Sequence, residues 1–152
     1  MHAHAGRAEI RPAAEADLER IEAMLSDARL PLDGARDAFR VGFVAEERQE
    51  IVGAVALEMY PDSALLRSLV VDRSAQGQGL GGRLTRAAIE EASRRGANAI
   101  YLLTTTAEHF FPRFGFVAVD RQSMPASIQG SIEFQSACPA SATAMGLITR
   151  SA

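Results

Sequence analysis

A chain of 152 residues has the length of one domain, and at that size roughly 70% of the unfolded surface can be buried without a metal or disulfide to hold it. With 47% hydrophobic and 23% charged residues, 12 glycines and 6 prolines, the composition excludes the disordered, collagen-like and membrane classes. The net charge of -3 argues against nucleic acid as a partner.

The longest apolar run, residues 51–57, is too short for a bilayer, and residues 1–12 lack the apolar core of a signal peptide. A cytoplasmic protein without a membrane partner is expected. The single cysteine, Cys138, fits a reducing compartment and cannot form an internal disulfide. His2, His4 and His109 lack metal-ligand spacing with it, so no metal site is expected. Charge is uneven: residues 1–66 hold 13 acidic and 7 basic side chains, residues 67–95 hold 3 acidic and 6 basic. All 16 basic residues are arginine, a type suited to forked contacts with phosphate or carboxylate.

No repeat or linker divides residues 1–152, which read as a single unit. Glu9 to Pro12 reads as a strand. Glu15 to Ala28 reads as a helix, with Leu18, Ile21 and Leu25 on one face. Its start is poorly capped, because Ala13 and Ala14 offer no side-chain oxygen. Pro31 to Ala38 is a loop or short helix, and Phe39, Val41, Phe43 and Ala45 alternate as in a strand. The charged run Glu46 to Glu50 turns the chain. Ile51 to Tyr60 is apolar on both alternating sets, as in a central strand covered on two faces, and Leu65 to Val71 completes an antiparallel meander. Leu80, Leu84, Ala87, Ala88 and Ala92 then form one helical stripe that stops at Gly96. Ala99 to Leu103 is a buried strand, Ala107 to Arg113 a short helix and Phe116 to Val119 a strand. A helix near Ala126 to Gln135 and a strand near Thr143 to Ile148 finish the chain. The fold class is α/β (α+β): a mostly antiparallel mixed sheet of about seven strands with helices on both faces.

The segment Leu69-Val70-Val71-Asp72-Arg73-Ser74-Ala75-Gln76-Gly77-Gln78-Gly79-Leu80-Gly81-Gly82 carries the chemistry. A strand feeds through a glycine-rich turn into the arginine-bearing helix. The first amides of a helix lack internal partners and sit at the positive end of its dipole, so they suit phosphate oxygens, and glycine lets the backbone come close. A nucleoside-triphosphate loop needs Gly-Lys-Ser/Thr, and the chain has no lysine. Gly77, Gly79 and Gly82 match the dinucleotide fingerprint letter for letter. However, no ribose-binding acid follows at the expected distance, and the preceding strand belongs to a meander.

The third pattern, Q/R-x-x-G-x-G/A, is supplied by Gln76, Gly79 and Gly81. With it the chain resembles the GCN5-related N-acetyltransferase (GNAT) superfamily, and Ala107-Glu108-His109-Phe110-Phe111-Pro112-Arg113-Phe114-Gly115-Phe116 resembles the family's second signature. The resemblance implies that acetyl-CoA is the acetyl donor. Its diphosphate would lie on the amides of the Gln76, Gly77, Gln78, Gly79, Leu80, Gly81 and Gly82 loop, and its pantetheine arm would pair with Leu69, Val70 and Val71. It also implies an oxyanion donor among the backbone amides of Leu69 and Val70. More narrowly, residues 66–71, 102–108 and 138–142 are similar to arsenic-resistance N-acetyltransferases. The general acid common in the family, a tyrosine, is Phe111 here, and its usual asparagine is Thr104, whose hydroxyl could still bond the cofactor arm.

The implied reaction brings a small-molecule amine against the thioester in a ternary complex. Candidate bases are Glu58 and His109. An α-amine of pKa near 8 gives up about 1.4 kcal/mol to be neutral at pH 7, whereas a lysine-like amine needs roughly 4.6. An amino-acid-like acceptor is therefore expected, with Arg67 or Arg40 as the cation for its carboxylate. The phenylalanines from Phe110 to Phe116 read as core and channel packing, and a homodimer through the last strand is expected by analogy. The competing reading is a catalytically silent acyl-CoA-binding or sensing module, prompted by Phe111 and Thr104.

Overall fold

In a computed structural model, which describes residues 7–131 and 142–149, the chain alternates strands and helices as the hydrophobic periods predict. The strands are β1 (Glu9–Pro12), β2 (Gly42–Glu47), β3 (Glu50–Met59), β4 (Ser63–Val71), β5 (Ala99–Thr104), β6 (Val117–Ala118) and β7 (Thr143–Ile148). The helices are α1 (Leu18–Asp27), α2 (Ala35–Ala38), α3 (Leu80–Arg94) and α4 (Ala126–Gln129). One seven-stranded sheet runs β1-β2-β3-β4-β5-β7-β6. Its β4–β5 pair is parallel and every other pair is antiparallel.

The two faces of β3 explain its doubly apolar sequence. Val55 and Leu57 join the core under α3, where Leu80, Leu84, Ala88 and Ala92 are buried. Ala54 and Ala56 face α1 and α2, with Ile21, Met24, Leu25 and Phe39. Arg48 and Gln49 both have positive φ, so the charged run turns as a tight hairpin whose twist matches the strands it joins.

The structure corrects three boundaries. The alternating pattern from Phe39 suggests a strand, yet Phe39–Val41 is a 3-10 turn and β2 begins at Gly42. Gly42 is the reason: a Cβ there would lie 2.7 Å from Phe39 Cδ1 and 2.8 Å from the Val55 carbonyl, so the turn folds directly onto the sheet. The helix expected over Ala107 to Arg113 is a 3-10 turn at Phe111–Phe114, ended by Gly115 at φ 99°. The helix near Ala126 closes at Gln129, with Gly130 as its C-cap, and residues 132–135 of its expected span lie outside the described residues, as do His2, His4 and Cys138. The last strand stands where expected, Thr143–Ile148, and pairs on both sides, with β5 and, at Gly146 and Met145, with β6.

The entry to α1 is braced by a side chain, although Asp17, the N-cap of the helix, makes no cap bond to it. A 3-10 turn, Glu15–Asp17, precedes it, and the Asp17 carboxylate accepts from the Ala14 N–H at 2.7 Å while also receiving Arg11 at 2.8 Å. The Arg11 guanidinium holds the Asp17 carboxyl below the usual carboxylate range, aided by the Ala14 amide and opposed by burial. A depressed folded-state pKa adds stability above the unfolded value that disappears as pH falls through the folded one. Asp17→Ala should therefore cost about 2 kcal/mol at neutral pH, and the gap to wild type in urea melts should shrink as the solution is acidified toward pH 3.

Among the described residues no helix is long and apolar enough to cross a membrane, and no group of three or more His, Cys, Asp or Glu is placed to hold a metal ion.

Candidate active site

Strand β4 holds β5 through Ser63, Ala64 and Leu65, opposite Ala99, Ile100 and Tyr101, and there the pairing stops. A bulge parts the strands. The β3–β4 register shifts between Ala54 and Ala56, which face Val70 and Arg67 respectively. Ser68 takes φ 59°, a left-handed conformation uncommon for a residue with a Cβ. The gap is a cleft of about 300 Å³, lined among others by Leu66, Arg67, Ser68, Leu69, Thr104 and Phe111.

Past the bulge the ladder alternates regularly. The Asp72 amide donates to the Val52 carbonyl at 2.8 Å, and Val70 stands opposite Ala54. The Val70 amide is thus turned toward β3, while those of Leu69 and Val71 are turned toward the gap. Of the two backbone donors expected for an oxyanion, this geometry offers Leu69 and directs Val70 elsewhere.

Beyond Val71 the chain is tightly organised. Asp72 caps a 3-10 turn, Arg73–Ala75, accepting from the amide and hydroxyl of Ser74. Those two bonds and Arg20, at 3.1 Å, hold its carboxyl below the ordinary range. The Gln76 side-chain amide donates back to the Val71 carbonyl at 3.0 Å, so this glutamine braces the loop. Gly77 and Gly79 have φ 84° and 78°, and a Cβ on either would meet nothing within 4 Å. Gly79 is the N-cap of α3, without a side-chain cap and with no acid in the first turn. The amides of Leu80, Gly81 and Gly82 therefore open the helix with no internal acceptor. Phe110 and Phe114 stack beside this turn, their ring tips 3.6 and 3.5 Å from where Cβ atoms of Gly81 and Gly82 would stand. An open, acid-free cradle of glycine amides fits a diphosphate.

The side chains around the cleft form one buried network. The Arg67 side chain is 0% exposed and ion-paired with Glu58 at 2.9 Å. It also donates to Ser68 Oγ at 3.1 Å and to the Asp33 carbonyl at 2.7 Å. The other Glu58 oxygen accepts from the Tyr60 hydroxyl at 2.6 Å. Burial, then the Glu58 contact, pushes the Tyr60 hydroxyl well above its ordinary range, partly offset by Ser131 and Arg67, so it stays protonated. The strained bulge, the α1–α2 loop and the segment after α4 are thereby linked through a single ion pair.

The expected site residues divide accordingly. The loop from Gln76 to Gly82, the strand from Leu69 to Val71, Thr104 and Phe111 come together. Phe111 is buried in the cleft wall, and Thr104 Oγ accepts from the Ala107 amide at 2.9 Å, closing the turn after β5. Arg67 reaches the cleft but is already engaged. Arg40 does not reach it: its side chain is 83% exposed, pairs with Asp37 and lines a separate depression beside Phe39. His109 is exposed and outside the cleft lining. Sequence reasoning missed Tyr60, Asp33, Ser68 and Arg29. The consecutive polar pair Arg67-Ser68 inside an apolar strand was the available sign of the bulge.

A bulged strand, a splayed parallel pair and a bare helix start give an α/β fold with a cleft and a cradle suited to an extended, phosphate-bearing ligand. The family model for the acetyltransferase (GNAT) domain matches residues 39–118, and the chain belongs to that family. Solved structures share the fold. N-acetylglutamate synthase from Neisseria gonorrhoeae, complexed with coenzyme A and N-acetyl-glutamate, is 20% identical with TM-score 0.81, over 95% of this chain and 35% of that one. This chain thus spans about a third of that synthase. A Mycobacterium tuberculosis protein in complex with CoA is 21% identical, with TM-score 0.78, covering 92% and 98% of the two chains. A ribosomal-protein alanine N-acetyltransferase from Escherichia coli is 19% identical, with TM-score 0.73, over 95% and 96%.

If the bulge opens the cleft, Ser68→Gly should keep coenzyme binding, since glycine adopts the same backbone freely, at a cost of about 1 kcal/mol for the lost Arg67–Ser68 bond. Ser68→Val should lose about 1–3 kcal/mol of stability and most coenzyme affinity. Thermal melts with coenzyme A titrations distinguish the two variants, and equal behaviour would show that the left-handed residue is dispensable.

Proposed function

We propose that this chain transfers the acetyl group of acetyl-CoA directly to the amine of a small, α-amino-acid-like acceptor held in the β4–β5 cleft. The carrying observation is that cleft, walled by Leu66 to Leu69 of β4 beyond the point where β5 stops pairing with it, on the strand whose chain leads on into the glycine cradle. When bound, acetyl-CoA supplies the activated acetyl carbonyl. The chain's own part is to hold and aim it, which converts a bimolecular encounter into a local one. The amides from Gln78 to Gly82 grip the diphosphate, and the Leu69 N–H faces the place where negative charge develops. Thr104, accepting from Ala107, retains its hydroxyl proton for the coenzyme arm.

Neither base candidate lines the cleft, and Glu58 is the one tied to it. It bonds Arg67 in the cleft wall, and its side chain is 17% exposed, which gives the proton a route to water. Phe111 offers no proton to the leaving thiolate, which departs unassisted or toward water. That a structure of the same fold holds N-acetyl-glutamate beside coenzyme A supports an amino-acid acceptor. The narrower similarity to arsenic-resistance N-acetyltransferases puts an amine-bearing arsenical on the same acceptor panel. A single cysteine and use of acetyl-CoA fit a cytoplasmic setting. Any homodimer through β7 would use Leu147 and Ile148 beyond β6, where Ile148 is 72% exposed. A silent acyl-CoA-binding module is the second reading, favoured by Phe111.

Free-thiol release from acetyl-CoA across a panel of amines tests the proposal. α-Amino compounds should be acetylated faster than side-chain amines, and the opposite order would end the amino-acid reading. Tight coenzyme binding with no amine-dependent release would instead establish the silent module. For an active enzyme, kcat should rise with the neutral fraction of the acceptor amine and then level, without an alkaline fall near pH 10 from a tyrosine acid.

A further inference from the structure

Two arginines line the cleft, Arg29 and Arg67, and no Asp or Glu lines it. Glu58 neutralises Arg67 from the side. Arg29 pairs with no acidic side chain among the described residues. Its position is also unusual. Helix α1 ends in a Schellman motif, with the Arg29 amide donating to the Ser26 carbonyl at 3.0 Å and the Leu30 amide to the Leu25 carbonyl at 2.9 Å. That motif puts its C′ residue in the left-handed region and normally carries glycine there. Here the residue is arginine, at φ 59°. Leu30 packs against the core that contains Leu25, which fixes the turn and keeps the Arg29 backbone at the cleft.

We propose that Arg29 is the specificity-determining residue that binds the carboxylate of the acceptor, and that an acid-bearing amine is therefore the preferred substrate class. This rests on the acetyl-transfer reading above and deepens it. An unneutralised guanidinium on an exposed residue of the cleft lining offers two parallel donors to a carboxylate, the paired geometry in which charge-assisted bonds are strongest. The buried Arg67 cannot do this without releasing Glu58, Ser68 and Asp33. Arg40 lies in another depression. A left-handed arginine where glycine is conformationally easier is consistent with a side chain kept for binding rather than for the helix end.

The test uses Arg29→Gly, which suits the left-handed backbone and should leave the fold intact, alongside Arg29→Lys. Each is assayed with standard L-amino acids and with the matching amino-acid amides, every acceptor being compared with itself in wild type so that amine ionisation cancels. Arg29→Gly should raise KM for the amino acids about tenfold or more. KM for the amides and for acetyl-CoA should move by no more than about twofold, and Arg29→Lys should recover part of the loss. An equal change for acids and amides, or none, would overturn the role of Arg29 while leaving acetyl transfer standing. A wild-type enzyme that acetylates neither acids nor amides would instead overturn the reading on which this role rests.

Discussion

Backbone amides with no hydrogen-bond acceptor among the described residues, along the gap-facing edge of β4 and across the first turn of α3, are the constraint on which the rest of this structure depends. Buried or half-buried amides must find an acceptor. In an ordinary sheet β5 would supply it throughout β4, but here the parallel pairing ends at Leu65 and Tyr101. The bulge at Ser68 keeps the strands apart, and α3 begins at a glycine with no side-chain cap. The fold thus holds open a line of donors that an extended, phosphate-ended ligand can satisfy.

Keeping that line open requires support, and the surroundings supply it. Leu80, Leu84, Ala88 and Ala92 anchor α3 on the sheet, so the bare helix start is held in place by packing further along the same helix. Arg20 and Ser74 fix Asp72 at the base of the loop. The Arg67–Glu58 pair secures the bulge. An ion pair this buried is weak as a source of net stability. Its value here is positional: one guanidinium ties the strained residue to the loop that leads into α2.

Much of this was legible in the chain. Periodicities of two and of 3.6 located the strands and the two long helices, because each element buries one continuous apolar face. The spacing of Gln76, Gly79 and Gly81 located the cradle, because close backbone approach leaves its mark in residue type. Interactions between distant elements were not legible. Arg67 looked like a free cation on a strand, and its saturation by Glu58, nine residues away, and by the Asp33 carbonyl appears only when three elements meet. Phe39 kept an alternating pattern into a 3-10 turn, since the determining fact is the absent Cβ of Gly42 against Val55. Arg29 falls between the expected helix and the expected loop with nothing to mark it, because a left-handed arginine has no sequence signature other than the missing glycine.

The central claim is that the amides opening α3 hold the diphosphate of the coenzyme. Isothermal titration of coenzyme A into wild type and Gly79→Val tests it most directly. Gly79 sits at φ 78° with nothing within 4 Å of its Cβ position, so valine meets no protein atom there but resists the required backbone conformation. The account predicts at least a tenfold loss of affinity, about 1.4 kcal/mol, in a variant whose circular dichroism and melting cooperativity match wild type. Unchanged affinity in that folded variant would contradict it.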